Sequence, residues 1–161
     1  MELKTVPATE ANTGSKTIAD IVPLAARRYR DHPALRHKVD GRWVDLSYRE
    51  LAEAVKEVAL GLVDLGIESG DRVSILANTR PEWTYANFGI LAAGAASVSI
   101  YQTNSPEECR YVLGHSESRA VFVEDAEQLA KVRAVEDELP HLEAVVVMEP
   151  SGDLGDALSL D

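Results

Sequence analysis

The sequence predicts an α/β fold, a mostly parallel wound sheet flanked by helices with a peripheral β-hairpin, forming part of a larger domain. Three observations predict it. Short runs of β-branched and apolar residues alternate with helix-length segments, the order that winds a parallel sheet with crossover helices. Several of those segments open on a capping signal, and one Asp-Gly dipeptide separates two extended runs near the N-terminus.

Residues 1–16 end in Ala11, Asn12, Thr13, Gly14, Ser15 and Lys16, a polar and aperiodic stretch expected to be a flexible tail. Residues 17–161 are expected to form the folded unit. From Thr17 onward, Ile18, Ile21, Val22, Ala25 and Tyr29 recur at helical spacing, Arg27, Arg28 and Arg30 suit the negative end of the helix dipole, and Pro33 stops the helix. Ala34 to Val39 and Arg42 to Leu46 flank Asp40 and Gly41, which accept the positive φ angles of a type I′ turn and so predict a hairpin.

Ser47 and Glu50 make an SxxE capping box, and Leu51, Val55, Val58, Leu62 and Leu65 then form an apolar stripe that ends at Gly66. Val73 to Ala77 reads as a strand, Pro81 and Glu82 open a helix reaching about Gly94, and Ala96 to Tyr101 is a second parallel strand. Gly89 and Gly94 are expected to let that helix approach the sheet closely. Ser105, Pro106 and Glu108 start the helix of Tyr111, Val112 and His115; Arg119 to Val123 is a third strand; Asp125 and Gln128 cap a further helix; Ala144 to Met148 is a fourth strand. Ala157 to Asp161 resembles the start of another cap and helix, the alternative being a loose tail after a completed sheet. Four parallel strands would leave an edge awaiting a neighbour, which suggests an incomplete domain, but on the residues alone the completed sheet stays equally open.

Composition narrows the function. With 161 residues, 45% of them hydrophobic, the chain has the size of one core. Its formal charge of −11 opposes nucleic acid and anionic membrane as partners, because both are bound chiefly through Lys and Arg. Cys109 is the single cysteine, so no internal disulfide forms, and no signal or membrane-spanning stretch is seen; a reduced, cytoplasmic setting is expected. His32, His37, His115 and His141 stand apart, without metal-ligand spacing.

No GxGxxG, GxxxxGK[ST], SxxK or GxSxG motif is present. Thr13 to Thr17 has residue types suited to phosphate but lacks a preceding strand and an upstream glycine, which favours the tail reading. Cys109, inside a helix, is expected to be a structural thiol. Glu107 with Glu108, and Glu136 to Glu138, read as solvated faces, so no catalytic residue is assigned.

The loops after the strands are the places to look for a ligand, since wound sheets gather ligands at the carboxyl ends of their strands. Asn78, Thr79, Arg80 and Trp83 follow the first parallel strand; Tyr101, Gln102, Thr103 and Asn104 follow the second. For the first loop the plainer reading is helix capping by Asn78 or Thr79 and packing of Trp83 on the sheet, with a cleft wall as the other; for the second loop the two readings stand nearer each other.

The run SYREL at Ser47 to Leu51, GDRVSILANTRPEW from Gly70 to Trp83, and GILAAGAASVSIYQTNSPEECRYVLGHSESRAVFV from Gly89 to Val123 together resemble the N-terminal third of the adenylate-forming superfamily, most closely its bacterial long-chain fatty-acid CoA ligases. IYQTNSPE is the most specific part; Arg42, Trp43, Ser47 and Tyr48 fit the same subfamily. The resemblance implies an adenylation domain, and a parent enzyme that uses ATP with Mg2+ to turn a fatty acid into an acyl adenylate, then CoA to give acyl-CoA and AMP.

Such enzymes need a Ser, Thr and Gly-rich phosphate loop ending in Lys, an acidic residue for ribose, and a lysine from a C-terminal domain. None of the three is found in this sequence, so the chain is expected to stop before the phosphate loop, to act as scaffold and pocket wall, and to be inactive alone. The resemblance places Gln102 and Thr103 near the approach of CoA. Its implied partners are the remainder of the adenylation domain and the fatty acid, with a homodimer left open. Two other readings stay open: an autonomous, non-catalytic interaction module of the same fold, and an adenylating ligase for another carboxylic acid.

Overall fold

The computed structural model describes residues 14–160. Helix α1 (Ile21–Tyr29) is followed by the antiparallel pair β1 (Pro33–Val39) and β2 (Arg42–Ser47), then by α2 (Tyr48–Asp64), β3 (Arg72–Leu76), α3 (Pro81–Ala92), β4 (Ala96–Ile100), α4 (Pro106–Ser116), β5 (Ala120–Val123), α5 (Ala126–Arg133), a 3-10 turn (Glu136–Glu138), β6 (Ala144–Val147) and β7 (Leu158–Ser159). Strands β3 to β7 form one parallel sheet in the order β4-β3-β5-β6-β7. The wound parallel sheet and the separate hairpin are those expected.

The caps explain most helix starts. Ser47 accepts from the Glu50 amide while the Glu50 carboxylate takes the Ser47 amide at 2.8 Å, and Ser105 with Glu108 repeats the arrangement. Asp125 accepts from the Gln128 amide at 3.0 Å. Helix α1 starts later than its apolar spacing suggests, at Ile21, because the Asp20 carboxylate takes the Lys16 and Thr17 amides in a turn before it. In the hairpin, Asp40 and Gly41 have φ of 49° and 77°, the left-handed pair that a type I′ turn requires. Of the tail expected over residues 1–16, residues 1–13 lie outside the described residues.

Both faces of the sheet are covered. Helices α2 and α3 close one, where Val58, Leu62, Ala86 and Ile90 meet Val73, Ile75, Phe122 and Val146; on the other, Cys109, Leu113, Leu129 and Val132 from α4 and α5 meet Leu76, Val121, Val123 and Val147. Alternate residues of β5 therefore enter opposite cores, and its four residues are all buried, as a strand covered on both sides must be. A third, smaller cluster ties α1 to α2 and the hairpin through Val22, Leu51 and Val55. Burial of the Cys109 thiol pushes its pKa up, in keeping with a structural role.

Two expectations need correction. A Cβ placed on Gly89 would lie 2.4 Å from Val58 Cγ1, so this glycine admits helix α2 and not the sheet; Gly94 lies past the end of α3 at φ 84°, turned against Ser69. The segment expected as a new helix cap or a loose tail is instead strand β7, whose Leu158 and Ser159 pair with Val146 and Val147 of β6. Leu160 completes the pairing by donating its amide to the Val147 carbonyl at 2.9 Å, and its side chain packs against the core. The local spacing of Ala157, Leu158 and Leu160 could not distinguish these outcomes, because a strand of two residues has no periodicity to read.

Candidate functional site

Strands β3 and β4 are neighbours in register, Leu76 opposite Ile100, so the loops that follow them emerge side by side. Between them lies a cleft of about 330 Å³, floored by Ala77, Ser99 and Ile100 and walled by Asn78, Thr79 and Trp83 on one side and Tyr101 and Gln102 on the other. The structure thus unites two loops that the sequence could only name separately. Their position at the carboxyl ends of parallel strands is where this architecture collects ligands.

The first loop does not serve as its helix's cap. The N-cap of α3 is Arg80, with no side-chain capping bond, and Pro81 fills the first turn, where a missing N–H costs nothing. Asn78 turns the other way: its backbone amide and its Nδ2 both donate to Glu124 Oε2, at 2.6 and 2.8 Å. Trp83 satisfies both readings, packing half-buried against the core beneath α3 while presenting part of its ring to the cleft.

Arg80 is the only described cation beside this loop with several acidic partners, and it is fully engaged. Its Nε donates to Glu82 at 2.7 Å, and its Nη1 to Glu149 at 2.8 Å with Glu124 3.5 Å away. Burial works against the charge, but the bonds to Glu82 and Glu149 outweigh it and hold the guanidinium more firmly protonated than an ordinary arginine. No charged side chain lines the cleft itself. Its chemistry is aromatic, amide and hydroxyl.

In the second loop, the Asn104 amide donates to the Tyr101 carbonyl at 3.0 Å, making a tight turn. Tyr101 is 79% exposed. The Gln102 carbonyl accepts from Lys131 Nζ at 2.6 Å, a tie reaching across from α5. Gln102 lines the cleft; Thr103, the other residue named from sequence, is exposed and stands outside the lining. Glu124 and Lys131 were not singled out in the sequence. Glu124 follows a strand directly and so sits at the ligand end, but nothing in the order of residues joins it to Asn78.

Phosphate oxygens call for cations or a run of free amides, and the one arginine here is surrounded by three carboxylates, so the site does not fit the ATP triphosphate. Among the described residues no group of three or more His, Cys, Asp or Glu is arranged to hold a metal ion. An uncharged chain carrying amides fits better: Asn78 and Gln102 offer side-chain amides, and Trp83 and Tyr101 offer flat apolar surface. No described helix is long and apolar enough to cross a membrane.

Comparison with known proteins adds to this geometry. A family model described as AMP-binding enzyme matches residues 23–159. The long-chain-fatty-acid–CoA ligase heimdall of Drosophila melanogaster is 39% identical over 135 residues, covering 81% of this chain and 20% of the relative. The long-chain-fatty-acid–CoA ligase FadD15 of Mycobacterium tuberculosis is 38% identical over 122 residues, covering 76% of this chain and 20% of the relative. The chain therefore spans about a fifth of the length of these relatives. Among solved structures, MbtA of Mycobacterium smegmatis superimposes with a TM-score of 0.76 at 28% identity, covering 88% of this chain and 25% of that one. A long-chain-fatty-acid-CoA ligase, FadD1, of Archaeoglobus fulgidus shares the fold at a TM-score of 0.75 and 19% identity, over 88% of this chain and 28% of its own.

Proposed function

The chain belongs to the AMP-binding enzyme family, and on that premise we propose that it is the N-terminal portion of a long-chain fatty-acid CoA ligase whose cleft between β3 and β4 receives the uncharged arm of CoA. The parent enzyme joins a fatty acid to AMP with loss of pyrophosphate, then lets the CoA thiol displace AMP. This portion contributes scaffold and one wall of the path by which CoA arrives, while residues outside it bind the nucleotide and the acid. The observation that carries the reading is the cleft: two loops at the ligand end of the sheet, lined by amides, hydroxyls and two aromatic rings, with no cation. Gln102 faces that path and Thr103 stands at its rim.

A second feature supports the reading as part of a larger domain. An apolar groove of about 620 Å³ runs along α2 and the β6–β7 side of the sheet, lined by Val58, Leu62, Tyr85, Met148, Leu158 and Leu160 among others. Leu60 and Val63 on α2 are also exposed, at 58% and 56%. A self-sufficient module of this size would be expected to cover such surface, whereas a portion of a longer domain keeps it for the rest of the chain. For that reason the autonomous-module reading is the weaker one.

Isothermal titration of this chain with CoA, with ATP and Mg2+, and of a Ser99→Trp variant with each, tests the proposal. CoA should bind weakly, because a net charge of −11 repels its phosphates, and the indole placed on the cleft floor should lower that affinity by at least about tenfold. ATP with Mg2+ should not bind. Binding of ATP, or CoA binding indifferent to Ser99→Trp, would overturn the assignment of the cleft.

A further inference from the structure

We propose that one short segment, from Glu124 at the end of β5 to Lys131 in α5, sets the spacing of the cleft, and that these two side chains are positioning residues for its opposite walls. The bearing of this on CoA rests on the reading above; the mechanical part does not. Each wall is tied to the segment by one charged group: Glu124 Oε2 takes both the backbone and side-chain N–H of Asn78, and Lys131 Nζ donates to the carbonyl of Gln102. Both side chains are well covered, at 16% and 18% exposure, so these are not floppy surface pairs.

The walls have few bonds of their own at the cleft. The Asn78 loop leads into a helix whose N-cap, Arg80, makes no capping bond, its guanidinium turning to Glu82 and Glu149, and the Gln102 loop has one internal turn bond, from Asn104 to Tyr101. The segment, by contrast, is firmly seated. The Glu124 amide donates to Leu76 at 3.1 Å and its carbonyl accepts from Glu149 at 2.8 Å, so its backbone is fixed to strands on both sides. Asp125 caps α5, and buried Leu129 and Val132 seat that helix in the core. A firmly seated element therefore holds two loops with few bonds of their own, which is how a cleft is kept at one width without ligand. The bonds are charge-assisted, the stronger kind.

Arg80 faces Glu124 from the α3 side at 3.5 Å, and Glu127 lies 3.8 Å from Lys131 on its own helix. The Cys109 thiol on α4 also lies within electrostatic reach of Lys131. Arg80 approaches Glu124 Oε1 while Asn78 holds Oε2, and Glu127 shares Lys131 Nζ with the Gln102 carbonyl only at the longer distance, 3.8 against 2.6 Å. Removing Lys131's cation should free the Gln102 wall alone, and removing Glu124's charge the Asn78 wall alone.

The test is amide hydrogen exchange followed residue by residue in the whole chain, for Lys131→Met, Lys131→Arg and Glu124→Gln, with CoA titration of each. Lys131→Met should speed exchange at Asn104 by at least about tenfold while the amides of β3 and β5 keep their protection; Lys131→Arg should restore it, and Glu124→Gln should speed Asn78 instead. A CoA affinity reduced in step with the loosened loops extends the proposal to the ligand. Exchange that rises uniformly through the strands, or does not change in the loops, overturns it. Loops that loosen locally in a chain that binds no CoA even as wild type uphold the positioning role and refute the CoA reading.

Discussion

At the amino ends of the parallel strands, Arg119 donates to the Gly66 carbonyl at 2.8 Å and pairs with Asp71 and Glu143, while Arg72 reaches the Ser116 and Glu117 carbonyls at 2.7 and 3.2 Å. At the carboxyl ends, Arg80 meets Glu82, Glu124 and Glu149. The guanidiniums at the first end serve carbonyls at the ends of α2 and α4, where helix dipoles present partial negative charge. At the second end a single arginine meets three carboxylates, helices begin there, and a cleft lies between the loops. The same residue type fastens one end and only orders the rim of the other. Structure is concentrated where helices finish and opportunity for a ligand where they start.

Changing the element between the ends should have the largest effect and spare neither. Gly89→Val drives new methyls into Val58, since even a Cβ would stand 2.4 Å from Val58 Cγ1, and should cost about 2 to 3 kcal/mol in urea unfolding. Loss of exchange protection should then appear at both ends; protection lost at one alone would contradict their common support by α2 and α3.

The next effect should separate the ends. Arg119→Met removes partners from Asp71, Glu143 and the Gly66 carbonyl together and should lower the urea midpoint clearly while leaving CoA titration as in the parent chain. It should also change the acid limb of stability. The Asp71 carboxyl is held below its ordinary pKa by the Glu68 amide first and Arg119 second, and that of Glu143 by Arg119. Groups with a depressed folded pKa stabilise above the unfolded value, about 4, and lose that contribution as pH falls through the folded one. The parent chain should therefore weaken below about pH 4, and Arg119→Met should weaken less steeply there, keeping only the part of Asp71's contribution that comes from Glu68. An unchanged acid limb would show the amino-end network to be idle.

The smallest effect concerns the open end. Gln128, in the first turn of α5, is 5% exposed with Oε1 lacking a hydrogen-bond partner. Gln128→Met keeps the volume and removes the stranded acceptor, and should stabilise by about 1 kcal/mol, read as a higher urea midpoint. A loss of stability would mean that the amide is serving a group at the cleft end.

Local order was legible in the residues themselves. The Ser47–Glu50 and Ser105–Glu108 boxes, the Asp125 cap and the Asp40-Gly41 turn each depend on groups within four positions, and each formed as read. Alternating strands and helices likewise entailed a wound sheet, and the two loops at its carboxyl ends could be named in advance. What lay beyond reach were pairings between distant positions. Asn78 with Glu124, 46 residues apart, and Gln102 with Lys131, 29 apart, decided that these loops face a shared cleft and are held from one side. Gly89 was recognised as a place of close approach, yet only packing showed the neighbour to be Val58 of α2. Strand β7 exists because β6 offers it an edge, which its own two residues do not reveal. Sequence alone determined the helices, the hairpin, the first four parallel strands and their order, since caps, turns and periodicity are set by near neighbours along the chain; the tertiary structure decided β7 and the site, since an edge pairing and a cleft are made by groups that become neighbours only on folding.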